Sequence, residues 1–149
     1  LQIFNESGLS VPLNEDKARN LVTEIEQGEQ VEFELIELVY VDSKEIVRIN
    51  KEFLGRDYIT DIISFNYGDE TQAVPSNKTL EPIEGTLYCC APRISEQAAE
   101  LGEEPEKEFM RIFIHGLLHL TGYEDQTNAD KKTMTRLENR YLAKMGFNK

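Results

Sequence analysis

Two histidines are all that this 149-residue chain contains, and they stand four positions apart in FIHGLLHLTGYEDQ, residues 113–126. On a helix, four residues turn about 40° and rise about 6 Å, so His115 and His119 project from nearly one face with both rings within reach of one ion. Gly122 follows three residues after His119, where a left-handed cap ends a helix and swings the chain back. Three residues further comes Asp125, whose carboxylate can return to the same point. The pattern H-x3-H-x2-G-x2-D therefore offers a metal ion three protein donors: His115, His119 and Asp125.

Three protein donors leave the fourth corner of a tetrahedron to water, the arrangement of a catalytic rather than a structural zinc. Such a site brings the pKa of the water toward ~7 and supplies hydroxide at neutral pH. Two neutral imidazoles and one carboxylate leave a net single positive charge on a divalent site, so less Lewis acidity is expected than with three histidines. The spacing matches the metzincin zinc motif with aspartate in place of the third histidine. The peptidase reading fails at Gly116, where zinc peptidases of this pattern carry the glutamate that acts as general base. Two alternatives stay open beside the zinc. Both histidines could be satisfied core or surface groups, and a two-histidine, one-carboxylate set also serves non-haem iron oxygenases, although their usual β-barrel setting does not match ligands on one helix.

Composition limits what such a site could act on. With 40% hydrophobic and 30% charged residues, the chain reads as an ordinary soluble globular protein, long enough for one domain with one substantial core. No apolar run approaches a membrane span, and LQIFNESGLS has neither the basic start nor the cleavage site of a signal peptide, so the cytoplasm is the expected location. Cys89 and Cys90 are adjacent and are expected to be reduced and packed. The formal charge of −12 argues against unspecific nucleic-acid binding, which needs clustered Lys and Arg. That charge is uneven: residues 126–149 hold six basic and two acidic side chains, leaving −16 on the first 125. A basic last helix could touch phosphate or be simply a solvated face.

The positioning elements follow from pattern and punctuation. LQIF reads as a strand, Asn14 to Gln27 as a helix stopped by Gly28, and VEFELIELVYV as a second strand. Asp42 with Glu45 looks like a capping box opening the next helix. DIISFNY and GTLYCCA read as strands flanking a polar loop over residues 68–83, and a helix with Pro92 at its start runs on to Gly102. Glu106 to Thr121 is the most strongly helical stretch, and Asn128 to Lys144 is an amphipathic last helix with Met134, Leu137 and Tyr141 as its buried stripe. The order β, α, β, α, β, β, α, α, α predicts a single α+β domain over residues 1–149. A small mixed sheet of about four strands packs with about five helices, and the metal site lies on a central helix.

HGLLHLTGYED, from His115 to Asp125, resembles the hallmark H-G-x-L-H-L-x-G-Y-D-H of the YbeY family of bacterial rRNA-maturation endoribonucleases. INKEFLGRDYITDIISF, Ile49 to Phe65, is similar to that family's L-N-x-x-Y-R-G-x-D-x-P-T-D-V-L-S-F block, and GTLYCCAPRISEQA resembles a third block more loosely. The resemblance runs from about Asp42 to Met134. It implies a cytosolic zinc-dependent endoribonuclease with one ion per chain, acting in rRNA maturation and ribosome quality control. The implied partners are ribosomal RNA or the small ribosomal subunit, with ribosomal or GTPase proteins beside them. Two positions depart from the family: its third metal-binding histidine falls on Asp125, and its active-site arginine falls on Leu54. Arg56, past Gly55, is the nearest replacement and would bind phosphate oxygens bidentately. Asp61 and Thr60 could orient ligands or water, although a strand-start cap explains Asp61 equally well. Ser64 is read as a structural hydrogen-bonder. A rival of another class stays open: a ribosome assembly factor with a structural metal and no catalysis, which Leu54 favours.

Overall fold

The computed structural model describes residues 1–67 and 82–147. The elements run β1 (Gln2–Asn5), α1 (Glu15–Glu29), β2 (Phe33–Val41), α2 (Ser43–Leu54), β3 (Ile62–Asn66), β4 (Ile83–Cys90), α3 (Ala91–Leu101), α4 (Pro105–Leu120) and α5 (Asn128–Lys144). This is the expected element order. The polar loop read over residues 68–83 lies, through residue 81, outside the described residues.

Local chemistry sets the boundaries. The Asn14 side chain accepts from the Lys17 N–H at 3.0 Å and caps α1. Asp42 accepts from the Glu45 N–H at 2.8 Å and caps α2. Thr127 and Asp130 form a reciprocal capping box at the start of α5. One expected stop is corrected. Gly28 does not end α1, which continues to Glu29 and closes with Gln30 in the left-handed region at φ 58°. Glycine stands at position 28 for close approach: a Cβ there would lie 2.1 Å from the Tyr141 hydroxyl.

The sheet order is β1-β2-β4-β3. β1 with β2 and β2 with β4 are parallel, while β3 runs antiparallel to β4, with Ser64 opposite Leu87. Among the described strands β3 is therefore an outer edge. On one face lies the main core, built from Leu21 and Ile25 of α1, Leu38 of β2, Leu87 of β4, and α4 with α5. The other face holds a smaller cluster in which Ile46 and Ile49 of α2 meet Val39, Val41 and Ile63. Cys89 and Cys90 are free and buried, as expected. α4 is buried almost all round, which makes it the central helix. Among the described residues, no helix is long and apolar enough to cross a membrane.

Candidate metal centre

α4 carries His115 and His119 one turn apart, beside its contact with the β3 edge. Gly116 makes that contact: a Cβ added there would meet Ile62 Cδ1 at 2.6 Å and both Leu87 methyls at 2.9 Å. A glutamate at position 116 would run into the sheet, so the missing peptidase base has a packing cause as well as a chemical consequence.

The helix ends with two crossed backbone bonds, Gly122 N–H to His119 O at 3.0 Å and Tyr123 N–H to Leu118 O at 3.1 Å, with Gly122 at φ 114°. This is a Schellman closure, and it reverses the chain toward the helix face it has just left. Two results follow. The Tyr123 carbonyl comes to 2.9 Å from His119 Nδ1, and Asp125 Oδ2 comes to 3.6 Å from His115 Nε2.

The hydrogen-bond partners decide where the imidazole protons sit. His115 Nδ1 lies 2.6 Å from the Glu138 carboxylate on α5, and His119 Nδ1 faces the Tyr123 carbonyl. Both partners accept, so both Nδ1 atoms donate, and each neutral ring presents its Nε2 lone pair. Those two Nε2 atoms face each other at 3.0 Å. Lone pairs at that distance repel unless a proton or a metal ion lies between them, and a tetrahedral zinc with bonds of about 2.0–2.1 Å separates its donors by about 3.3 Å. One donor atom from each of His115, His119 and Asp125 lies within 4.8 Å of the others. The three groups expected from the sequence are thus brought together, and the donor set fits a divalent ion.

The electrostatics agree with cation capture. Burial pulls the His115 pKa down, yet the hydrogen-bonded Glu138 carboxylate, then Asp125 and Asp61, carry it above its ordinary value. His119, with no carboxylate bonded to it, is held below the usual range by burial and by His115.

Glu138 was not legible as a site residue. It is buried on α5 and leans on Arg111, 3.8 Å away, whose Nε donates to Glu108 at 3.1 Å. A signal existed, because Glu138 falls one residue after Leu137 and three before Tyr141, on the edge of the apolar stripe where an unpaired acid is costly. Glu29 is a second unforeseen group: it accepts from the hydroxyls of Tyr123 at 2.6 Å and Tyr141 at 2.5 Å, tying the metal loop to α1 and α5.

Beside the histidines a cleft of about 440 Å³ runs along the β3 edge. Its wall includes Leu54, Thr60, Asp61, Ser64 and Asn66, and its floor is His115, His119 and Asp125. Asp61 and Thr60 stand in the cleft. Leu54 lines it, whereas Arg56 is exposed on the connection after α2 and is not among the lining residues. No described lining residue is Lys or Arg.

Fold and centre together define a class: an α+β protein with an open three-donor cluster, able to hold a metal ion, between its central helix and a sheet edge. Within that class the chain belongs to the endoribonuclease YbeY family, whose model matches residues 3–146. It is 40% identical over 131 residues to the endoribonuclease YbeY of Chloroherpeton thalassium, covering 88% of this chain and 86% of that one. Against the Chlorobium limicola protein of the same description it is 35% identical, with 95% and 90% covered. A solution structure of a Thermotoga maritima protein, 24% identical, superposes with a TM-score of 0.60 over 97% of this chain and 87% of its own, and so shares the fold.

Proposed function

We propose that this chain is a zinc-dependent endoribonuclease acting in ribosomal RNA maturation and ribosome quality control, with ribosomal RNA or the small subunit as its substrate and the cytoplasm as its location. One observation carries the reading: two imidazoles, each fixed through Nδ1, aim their lone pairs at a point beside a carboxylate in an open cleft. Family membership supplies the substrate class.

His115, His119 and Asp125 would hold one zinc ion per chain. Bound there, the ion supplies Lewis acidity toward a phosphodiester oxygen and acidifies a water or ribose hydroxyl nearby. The chain's own groups do the rest. Glu138 and the Tyr123 carbonyl lock the histidine tautomers, so no ring needs to reorient as an ion is taken up. Asp61, at the head of β3 on the cleft wall, orients the attacking hydroxyl and holds its proton. Arg56, exposed on the turn after α2, would supply the cation for the phosphorane oxygens that the leucine at position 54 cannot.

Cleavage of purified small-subunit rRNA under single-turnover conditions tests the assignment. Arg56→Ala is expected to keep metal content and fold while slowing cleavage by ~10²-fold, the scale of removing one transition-state donor. An unchanged rate removes Arg56 from the reaction. A wild-type chain that binds ribosomal particles but never cuts favours the assembly-factor reading that Leu54 keeps in play.

A further inference from the structure

Four large apolar side chains stand exposed at the end of α2 and on the turn that follows it, next to the cleft residues Leu54 and Thr60. Phe53 is 58% exposed, Leu54 46%, Tyr58 53% and Ile59 47%. Half-exposed apolar side chains gathered on one short stretch mark a contact surface rather than an oversight of packing. Their location is set by connectivity. Leu54 on one side and Thr60 on the other both line the cleft, so the turn carrying Tyr58 and Ile59 is bracketed by cleft residues. Tyr58 and Thr60 are two residues apart, at most about 7 Å along the chain.

The turn is held, not loose. The Arg56 N–H donates to the Asn50 carbonyl at 3.2 Å, and the Asn50 side-chain amide donates to the Tyr58 carbonyl at 2.9 Å. Asn50 itself is 1% exposed. A buried polar side chain thus pins the backbone beneath an exposed aromatic ring. Phe53 is braced from below by the Phe65 ring, edge-on at a centroid distance of 5.4 Å.

Charge selects the occupant. Asp61 and Asp125 line the cleft with no described Lys or Arg, in a chain of net charge −12. A nucleic acid held there gains nothing from ion pairs with the lining itself, so its hold inside the cleft, beyond the metal and the Arg56 contact proposed above, is through its uncharged faces. Unpaired bases have such faces, and stacking on aromatic and apolar side chains is the sequence-tolerant way to hold them.

We propose that Phe53, Leu54, Tyr58 and Ile59 form a base-stacking platform that seats the unpaired nucleotide next to the scissile phosphate, with Tyr58 as its principal ring and Asn50 as its positioning residue. The platform adds base contact to the phosphate grip assigned to Arg56. It rests on the endoribonuclease reading and goes beyond it by naming what holds the substrate.

The test uses zinc-loaded protein and two short 2′-O-methyl oligouridines of equal phosphate charge, one with its central nucleotides abasic. Wild type is expected to bind the base-bearing strand about tenfold or more tightly than the abasic one. Tyr58→Ala is expected to lose about fivefold to a hundredfold in affinity for the base-bearing strand, the range for removing one stacked base, with Tyr58→Phe restoring it and the salt dependence unchanged. Asn50→Ala is expected to weaken the same strand without affecting the abasic one. Equal binding of the two strands, or no loss in Tyr58→Ala, overturns the platform while ribosomal RNA cleavage by wild type would leave the endoribonuclease reading standing. Loss of self-association in Tyr58→Ala with RNA affinity intact would assign the patch to a second copy and overturn it equally. Failure of wild type to bind either strand or cut ribosomal RNA overturns both.

Discussion

The imidazole tautomers decide what the paired histidines can bind. His115 and His119 are useful as ligands because Glu138 and the Tyr123 carbonyl take their Nδ1 protons, leaving two lone pairs converging at 3.0 Å. Asp125 completes the set from the reversed chain after Gly122, 3.6 Å from His115 Nε2. Zinc affinity, measured by competition with a chromophoric chelator, should therefore respond to all three neighbours. Asp125→His is expected to preserve or tighten binding and Asp125→Ala to weaken it. Glu138→Gln, which keeps the shape and loses the charge, is expected to cost about 10–100-fold, the usual effect of removing a histidine's supporting carboxylate. Equal affinity of wild type and Asp125→Ala would show that this carboxylate lies outside the metal's reach. The clustering of His115, His119 and Asp125 could be read from spacing alone because a helix and its closure put i, i+4 and i+10 in one place. Glu138 could not, because its partner lies 23 residues away and only the packing of α5 on α4 brings them together.

Among the elements, α4 is the part that positions everything else. Its approach to the sheet is set by glycine: Gly116 admits Ile62 and Leu87, and Gly85 of β4 admits Leu120, whose methyl would stand 2.8 Å from a Cβ. Gly116→Ala should gain about 1 kcal/mol of helix propensity and lose about 1–3 kcal/mol to overpacking. A net loss is expected, read as a lower urea midpoint of the metal-free protein with an unchanged slope. A raised midpoint would mean that Ile62 and Leu87 give way and that the close approach is not needed. The capping signal at Asp42 was legible because it acts within three residues. Gly28 was misread as a stop for the opposite reason: its role is to clear the Tyr141 ring, a contact between positions 113 apart in sequence. The same limit applies at Leu54 and Arg56, where spacing names a nearest cation but only the fold shows which side chain lines the cleft.

Over the whole molecule, an acidic body has to hold a polyanion. The basic face of α5 is the counterweight: Lys131, Lys132 and Arg136 are exposed, and the charges of Arg136 and Arg140 act on Tyr123 in the metal loop, partly offsetting the rise that Glu29 and burial impose on its hydroxyl pKa. Changing Lys131, Lys132 and Arg136 to Gln is expected to weaken RNA association about equally for all sequences and to flatten its salt dependence, since each phosphate contact removed takes about one unit from the slope. An unchanged slope would place RNA entirely in the cleft. Under the proposed division of labour, with cations on α5 for unspecific attachment, the exposed turn after α2 for base contact and the metal centre for chemistry, rRNA cleavage is the most direct test of the whole. The protein would be stripped with a chelator, checked for retained fold by far-ultraviolet circular dichroism, and assayed on purified small-subunit rRNA before and after one equivalent of zinc. The account predicts no cleavage when stripped, recovery with zinc, and no recovery in His115→Ala or His119→Ala. Undiminished cleavage by folded, metal-free protein, or persistent inactivity of the fully zinc-loaded chain, would contradict it.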